Sequence, residues 1–323
     1  MKTILLIFTG GTISMSYDKV VSKSVVHDNH DELLKKVAAK IENVNLESII
    51  YSLVPSPSIT PNDMLEIGKL IEKKFATKNI SGVVITHGTD TLEETAYFLD
   101  LFLNEKKPVV LTGSMRNFDE VGYDGFSNLV SAILVALSPE SNNRGVLVCL
   151  NDEINSAVEV MKTHTLALDT FKSLEFGPLG LVDEKTVIYY RDATYEKEHI
   201  KPTELDKRVE IIKVVSGEDG KIIDFYINEK VSGIIIESLG RGNVPKIMVP
   251  QIKKALKHNI SVVITSRCPM GLVRDTYAYE GGGYHLKNLG VLSGGSLASE
   301  KARLKLMAIL SLNLDPKDFF SYN

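Results

Sequence analysis

Threonine, aspartate and lysine side chains follow short apolar runs of the sequence, where those runs end. Thr12 follows the first run, and Thr89 with Asp90 follows a later one. A threonine hydroxyl becomes an effective nucleophile once a neighbouring group accepts its proton. Lys162 lies ten residues beyond the Asn-Asp pair that follows a further apolar run. It carries an amine that burial and a nearby carboxylate can tune to act as that base. These residue types predict nucleophilic attack by a threonine.

Glycines next to both threonines indicate the same chemistry. Gly11 precedes Thr12, and Gly88 precedes Thr89. Because glycine has no Cβ, the backbone N–H groups around it can approach a ligand closely. Such donors stabilise the oxyanion of a tetrahedral intermediate by ~3–4 kcal/mol each. The pattern therefore predicts acyl transfer, in which a carbonyl is attacked, an amine leaves and the acyl-enzyme is hydrolysed. We expect this chemistry to need neither a metal nor a cofactor.

Other kinds of site lack their sequence signatures. The phosphate-binding pattern GxxxxGK[ST] and the serine-hydrolase pattern GxSxG are absent, and GxGxxG does not follow the first apolar run. The seven histidines form no HExxH motif, and Cys149 and Cys268 are too few for a disulfide framework. The net charge of −4 argues against a nucleic-acid-binding surface, which needs clustered Lys and Arg.

The apolar runs are continuous rather than alternating, which is typical of strands buried on both faces of a parallel sheet. These runs are Ile4–Phe8, Val83–Thr86, Val109–Thr112, Val146–Leu150, Ile234–Ile236 and Val262–Thr265. Helical patterns cover Asp31–Ile41, Thr60–Ala76, Thr91–Leu103, Phe126–Leu137 and Ser299–Leu312. Thr91 and Glu94 have the spacing of a capping box. The alternation predicts an α/β fold that binds its ligand outside the carboxyl ends of the strands.

The length of 323 residues suggests two domains. A polar, charged stretch covers Tyr189–Asp206 and contains Pro202, as an interdomain linker would. We therefore predict a larger N-terminal domain over 1–190, a parallel sheet with helices on both faces. A linker over 191–206 and a smaller C-terminal α/β domain over 207–323 follow. The alternative is a long surface loop within a single domain.

The sequence shows no segment that would span a membrane. The longest apolar run, Leu129–Leu137, is far shorter than the ~18 residues that a bilayer requires. Met1–Phe8 resembles the start of a signal peptide, but its apolar part is short and Thr9–Thr12 follows where a cleavage site would lie. We expect a buried strand there, a cytoplasmic location, and neither a membrane nor a nucleic-acid partner.

Over its whole length the chain resembles the bacterial-type (threonine) L-asparaginases, in their cytoplasmic, type I-like branch. Two segments are similar to the family signatures, TGGTI at Thr9–Ile13 and ITHGTDTLEETA at Ile85–Ala96. Further stretches that match are Gly113–Arg116, Asp124–Leu129, Lys162–Thr165, Phe171–Ser173, Gly240–Asn243 and Ser266–Pro269.

The resemblance implies hydrolysis of L-asparagine to L-aspartate and ammonia through a threonine acyl-enzyme, with some activity on glutamine. Thr12 would be the nucleophile, and Thr89, Asp90 and Lys162 would form the triad that activates the attack. Asp90 would also hold the α-ammonium group of the substrate. Many members use a loop tyrosine for a second triad. Tyr17 is the one available here, closer to Thr12 than is usual.

The resemblance also implies a set of substrate-binding residues. Ser56 or Ser58 would bind the α-carboxylate of the substrate, and Gly11, Gly88 and Ser114 would contribute to the same site. The family forms homo-oligomers, so we expect a dimer or a tetramer.

The C-terminal domain of one subunit would complete the site of its partner. Asn243 matches one contributed residue, and either Tyr279 or Glu280 stands near the place of the contributed acidic residue.

Two other functions remain open on the same core. One is the amidotransferase subunit that forms glutaminyl-tRNA, but it carries an extra domain before its TGGT motif, which here begins at Thr9. The other is a catalytically silent amino-acid sensor. Intact Thr12, Thr89, Asp90 and Lys162 argue against a sensor, because a binding protein needs no activated hydroxyl.

Overall fold

The chain divides into two compact units, Met1–His199 and Ile200–Asn323. The computed structural model describes residues 1–18, 23–26, 30–77 and 79–322. The domain limits expected from composition stay a prediction, and each unit is described by itself.

The first unit alternates strands and helices. Its strands are β1 (Lys2–Gly10), β2 (Met15–Asp18), β3 (Lys23–Val26), β4 (Val44–Val54), β5 (Gly82–Thr86), β6 (Val109–Thr112), β7 (Val146–Leu150), β8 (Glu153–Ser156), β9 (Met161–Lys162), β10 (Phe171–Lys172), β11 (Gly180–Asp183) and β12 (Thr186–Tyr189). Its α-helices are α1 (His30–Ala38), α2 (Pro61–Thr77), α3 (Leu92–Phe102) and α4 (Gly125–Leu137).

The main sheet of this unit is mixed. In the described ranges it has eight strands in the order β12-β11-β8-β7-β6-β5-β1-β4. The strands from β4 to β7 are parallel, as predicted from the continuous apolar runs, whereas β8, β11 and β12 pair antiparallel. Asn151 and Asp152 join β7 to β8 with φ of 50° and 61°. Two positive φ angles are typical of a tight hairpin turn, which can connect only antiparallel strands.

Strand β4 was not predicted from the sequence. It pairs with β1 in parallel at the edge of the sheet, and its residues alternate between half-buried and exposed. An edge strand of this kind has no continuous apolar run, which is the pattern that revealed its neighbours.

Helices cover both faces of the sheet, as predicted. Helices α1 and α4 share a buried core with Ile4, Leu6 and Phe8 of β1. Because successive strand side chains point to opposite faces, Leu5 and Ile7 are buried on the other side. Helix α3 packs against α2, β6 and β7. Helices therefore cover the two faces of the sheet, and the candidate site residues lie at its carboxyl edge.

The N-terminal segment is an interior strand. Met1–Phe8, which resembles the start of a signal peptide, contributes to β1, and β1 pairs with both β4 and β5. From Ile4 onward its side chains are buried. Of the helices in the described ranges, none has the length and apolar character needed to cross a membrane.

The second unit is a smaller α/β layer structure. Its strands are β13 (Val209–Lys213), β14 (Gly233–Ser238), β15 (Ser261–Ser266) and β16 (Leu292–Ser293), and its helices are α5 (Ile222–Asn228), α6 (Val249–Lys257), α7 (Gly283–Leu289) and α8 (Ser299–Ser311). The strands form a parallel sheet in chain order. Its core contains Ile234, Ile236, Val262 and Ile264, from the two apolar runs predicted as strands.

Candidate active site

An open cleft of about 190 Å³ lies at the carboxyl edge of the main sheet. It is bounded by the segments that follow β1, β4 and β5, together with β9. The predicted site residues that line it are Gly11, Thr12, Ser56, Gly88, Thr89, Asp90 and Lys162. The cleft has the position expected for a ligand site in a parallel sheet.

The turn after β1 depends on two glycines. Gly10 and Gly11 have φ of 104° and 83°, a region that residues with a Cβ rarely adopt. A Cβ on Gly10 would come within 2.5 Å of the Val54 carbonyl oxygen, and one on Gly11 would overlap the backbone of Gly88. The close approach of these two loops places Thr12 at the same cleft as the residues after β5.

Two side-chain hydrogen bonds hold this turn, one before and one after Thr12 in the sequence. The Thr9 hydroxyl donates to the Thr86 carbonyl at 2.9 Å, which ties the ends of β1 and β5 together. The Tyr123 hydroxyl donates to the Ile13 carbonyl at 2.8 Å. Burial raises the pKa of Tyr123, so its hydroxyl keeps the proton that it donates. The backbone around Thr12 is therefore held in place.

Lys162 joins a hydroxyl and a carboxylate at the centre of the cleft. Its Nζ donates to Thr89 Oγ1 at 2.8 Å and to Asp90 Oδ1 at 2.7 Å. The Thr89 side chain is buried, whereas 65% of the Asp90 side chain is exposed. An ion pair that exposed contributes little to stability. The arrangement instead holds an amine against a buried hydroxyl and leaves a carboxylate accessible to a ligand.

Of the two serines considered for carboxylate binding, only Ser56 is among the described residues that line the cleft. It is buried, and its hydroxyl accepts the N–H of Asp90 at 3.2 Å. A Cβ on Gly88 would lie 2.8 Å from this hydroxyl oxygen, so the contact requires glycine there. Ser58 is exposed on the same short 3₁₀ turn.

His87 fixes the backbone that leads into Thr89. The ring is fully buried, and its Nδ1 lies 2.8 Å from the Gly88 carbonyl oxygen. A carbonyl only accepts, so Nδ1 carries the proton and Nε2 accepts from the Thr95 hydroxyl at 3.0 Å. Burial lowers the pKa of His87 to about 4. The imidazole is thus neutral at ordinary pH and acts as a structural hydrogen-bonding group.

The capping box predicted at the start of α3 is wrong. The Thr91 hydroxyl donates to the Ser56 carbonyl at 2.9 Å and makes no hydrogen bond that caps the helix. The motif instead supplies a residue that sequence reasoning missed. Glu93 Oε2 accepts the backbone N–H of Lys162 at 2.7 Å. The only sequence signal was its place in the signature segment, next to Glu94, the carboxylate that has the capping-box spacing from Thr91.

Ser114 is not among the described residues that line the cleft. Its buried hydroxyl donates to the Arg116 carbonyl at 2.8 Å, within the loop after β6. Asp124 holds this loop by accepting the N–H groups of Met115 and Arg116, both at 3.0 Å. Met115 is the residue of the loop that reaches the cleft.

Sequence reasoning also missed other cleft residues. Met15 and Thr165 line the cleft, and each lies a few positions from a predicted residue. Position after a strand end was the one signal that could have indicated them. The backbone of Tyr17 belongs to β2, which pairs with β3, but its side chain lies outside the part of the chain that the structure describes.

The remaining predicted residues belong to the second unit. Asn243 forms a β-bridge with Leu239, and its buried Oδ1 has no hydrogen-bond partner within the described residues. The Tyr279 ring is 56% exposed and stacks on Tyr277 with centroids 5.7 Å apart. Glu280 is also exposed. These side chains are described only within that unit.

The polar groups of the cleft are hydroxyls, one amine and one carboxylate. Across the ranges that the structure describes, no group of three or more His, Cys, Asp or Glu side chains could hold a metal ion. Cys149 and Cys268 are both free thiols.

Comparison with known proteins gives consistent matches over both units. The family model "Asparaginase, N-terminal" matches residues 3–195, and "Glutaminase/Asparaginase C-terminal domain" matches residues 208–321. An L-asparaginase of Bacillus licheniformis is 37% identical over 322 residues, which cover 99% of each chain. A protein of Haemophilus influenzae named "Probable L-asparaginase periplasmic" is 34% identical and covers 100% of this chain and 92% of its own. The crystal structure of a probable cytoplasmic L-asparaginase from Campylobacter jejuni superposes with a TM-score of 0.88, at 33% identity over 98% of each chain.

Proposed function

The chain belongs to the asparaginase family, and from that premise we propose that it hydrolyses L-asparagine to L-aspartate and ammonia. One observation supports the proposal above the others. The Lys162 Nζ contacts the Thr89 hydroxyl and the Asp90 carboxylate in a cleft that Thr12 also lines. A nucleophile, a proton-accepting relay and an anion for the substrate's ammonium group are thereby present together.

Substrate binding would use the charged ends of the amino acid. The exposed Asp90 carboxylate pairs with the α-ammonium group, because charge-assisted hydrogen bonds are the strongest that a free amino acid offers. The Ser56 hydroxyl hydrogen-bonds the α-carboxylate. These two contacts leave the side-chain amide to face Thr12 and Thr89.

The first half of the proposed reaction forms an ester. Thr12 Oγ1 attacks the side-chain carbonyl carbon, and the Thr12 proton passes to the base provided by the Thr89–Lys162 pair. Backbone N–H groups of the two glycine loops stabilise the oxyanion. The C–N bond then breaks, the proton is returned to nitrogen, and ammonia leaves an aspartyl ester on Thr12.

The second half regenerates the threonine. A water molecule loses a proton to the same base and attacks the ester carbon. The ester C–O bond breaks, Thr12 takes the proton back, and L-aspartate leaves. One water is consumed and one ammonia is released for each asparagine.

Glutamine is the second substrate of this proposal. The family model for the second unit includes glutaminase in its description, and the reacting amide differs only by one methylene. A methylene in a pocket changes the transition-state free energy by ~1–3 kcal/mol, so we expect asparagine to be preferred and glutamine to be turned over more slowly.

The test is ammonia release by the purified protein, measured as initial rate against asparagine and glutamine concentration. Turnover of asparagine without tRNA is expected. A protein that binds asparagine and releases no ammonia would be the silent sensor. A protein that releases ammonia from glutamine only in the presence of charged tRNA would be the amidotransferase subunit. Either result would overturn the proposal.

The proposal extends to assembly and location. We expect a homo-oligomer, a dimer or a tetramer, in which Asn243 and either Tyr279 or Glu280 complete the partner's site; the exposure of the last two supports this. A cytoplasmic location agrees with the name of the Campylobacter jejuni protein, while the Haemophilus influenzae protein is named periplasmic. Sedimentation and cell fractionation test these two points.

A further inference from the structure

The segment that carries Lys162 has little support of its own. Strand β9 consists of Met161–Lys162 and pairs only with β10 in a two-stranded sheet within the described residues. Two-stranded hairpins are marginally stable by themselves. The position of the Lys162 amine relative to Thr89 therefore depends on bonds between this hairpin and the rest of the unit.

We propose that Glu93 is a positioning residue that holds Lys162 in register with Thr89 and Asp90. Glu93 Oε2 accepts the Lys162 backbone N–H at 2.7 Å. The other end of the same residue, Nζ, donates to Thr89 and Asp90. Both ends of Lys162 are therefore bound by the segment 89–93. The inference rests on the proposed function, in which the amine takes part in proton transfer.

The contact between Glu93 and Lys162 has the physical properties of an anchor. A carboxylate that accepts an N–H forms a charge-assisted hydrogen bond, about twice as strong as a neutral one. Glu93 is half-buried in the first turn of α3, where the helix N-terminus favours a negative charge. Water competes less for such a group than for an exposed one.

Other bonds of the hairpin do not replace this one. Thr163 pairs with Thr170 inside the hairpin, with the Thr163 N–H 2.8 Å from the Thr170 carbonyl. Lys172 on the partner strand contacts Glu153 of β8 at 3.0 Å. These bonds shape the hairpin and fix its other strand, whereas Glu93 acts on Lys162 itself.

The test compares Glu93→Ala and Glu93→Gln with Glu94→Ala. The Glu94 variant is the matched control, since it removes the same charge from the same helical turn. We expect Glu93→Ala to lower kcat by about 100-fold, the effect of misplacing a reacting group by ~1 Å, with KM changed by less than about threefold. Glutamine keeps an acceptor oxygen, so the kcat of Glu93→Gln should be within about tenfold of the kcat of the unaltered protein. The kcat of Glu94→Ala should differ from that of the unaltered protein by less than about threefold.

A second measurement does not depend on turnover. Hydrogen exchange of the Lys162 amide should be faster in Glu93→Ala than in Glu94→Ala, because only the first change removes the acceptor. Equal kcat values for the two alanine variants, equal exchange rates, or a rise in KM with kcat unaltered would overturn the inference. If the unaltered protein released no ammonia, the proposed function would fail, and the exchange comparison would still decide whether Glu93 holds Lys162. Should Glu93→Ala not fold, Glu93→Gln and Glu93→Leu take its place in both comparisons.

Discussion

At the scale of single residues, Lys162 has two oxygen partners within hydrogen-bonding distance and little exposure. Its side chain is 16% exposed, and its amine lies between the buried Thr89 hydroxyl and the accessible Asp90 carboxylate. A solvated surface lysine would have neither property. The position is consistent with a group that moves protons rather than one that supports folding.

Replacing this lysine should remove activity and keep the fold. Methionine has a similar length and no charge, so Lys162→Met should lower kcat by about 10²–10⁴-fold, the usual contribution of a positioned acid or base. Ammonia release gives kcat, and thermal unfolding reports on folding. Lys69→Met, in an exposed ion pair with Glu66 on α2, is the control and should leave kcat near normal. Unaltered kinetics for Lys162→Met would make Lys162 a bystander.

His87 should make the protein sensitive to acid. Its pKa is about 4 in the folded protein against an ordinary value of 6.5, because burial disfavours the charged ring. Below pH 6.5 the unfolded chain takes up a proton that the folded protein does not, so stability falls as pH drops towards 4. The loss from this one group is about 3 kcal/mol at most.

The free energy of unfolding, measured in denaturant between pH 7.5 and 4.5, checks this expectation. The variant His87→Gln should be less stable at pH 7.5 and should show a flatter pH dependence. The exposed His258, changed to Gln, serves as control and should keep the original slope. A slope that is the same in all three proteins would contradict the assignment.

At the scale of elements, the turn after β1 brings two loops into direct backbone contact. A side chain at this contact would force the two backbones apart. Gly11 has a positive φ and its Cβ position is occupied by Gly88, so a substitution there combines strain with a clash. Gly217 has a similar φ of 85°, and no described atom lies within 4 Å of its Cβ position. The two glycines separate the effect of strain from that of the close approach.

We therefore expect Gly11→Val to abolish activity, because the loops that carry Thr12 and Thr89 must move apart. Gly217→Val introduces comparable strain in a loop of the second unit and should lower only the thermal stability. Its kcat should stay within about twofold of the unaltered protein. Initial rates and unfolding curves of both variants decide the matter. A fully active Gly11→Val protein would refute this explanation of the loop.

At the scale of the whole molecule, the proposed catalytic groups all lie in the first unit. Asn243, Tyr279 and Glu280 lie in the second. If each site is completed by a partner subunit, two different inactive subunits should restore activity when they assemble together. This expectation follows from the symmetry of closed oligomers, in which each interface repeats.

Co-expression of Lys162→Met with Asn243→Ala tests the shared site. In mixed dimers, one of the two sites combines an intact first unit with an intact second unit from the partner. Random pairing should therefore restore about a quarter of the normal activity. The two variants purified separately and assayed together without exchange of subunits are the control. Activity no greater than the sum of the separate variants would contradict a shared site.

Much of the fold could be predicted from local patterns. The run Ile4–Phe8 is apolar at every position, and β1 is buried on both faces there, because neighbouring strands and helices exclude water from both sides. Strand β4 and the antiparallel strands β8, β11 and β12 escaped prediction. The edge strands β4 and β12 alternate between exposed and half-buried residues, which interrupts the apolar pattern. Strand β8 is buried, but its polar residues Asn155 and Ser156 leave it without an apolar run.

The sequence by itself determined which residue types follow each buried strand, and so it indicated Thr12, Thr89, Asp90 and Lys162 as one chemical group. Burial and helix formation leave periodic patterns in neighbouring positions, and these can be detected without coordinates. Contacts between distant segments leave no such pattern. That Ser56 rather than Ser58 lines the cleft, that Ser114 binds its own loop, and that Glu93 accepts the Lys162 backbone N–H were decided only by the tertiary structure. The packing of separate segments determines which polar groups meet, and each group takes the nearest partner that packing allows.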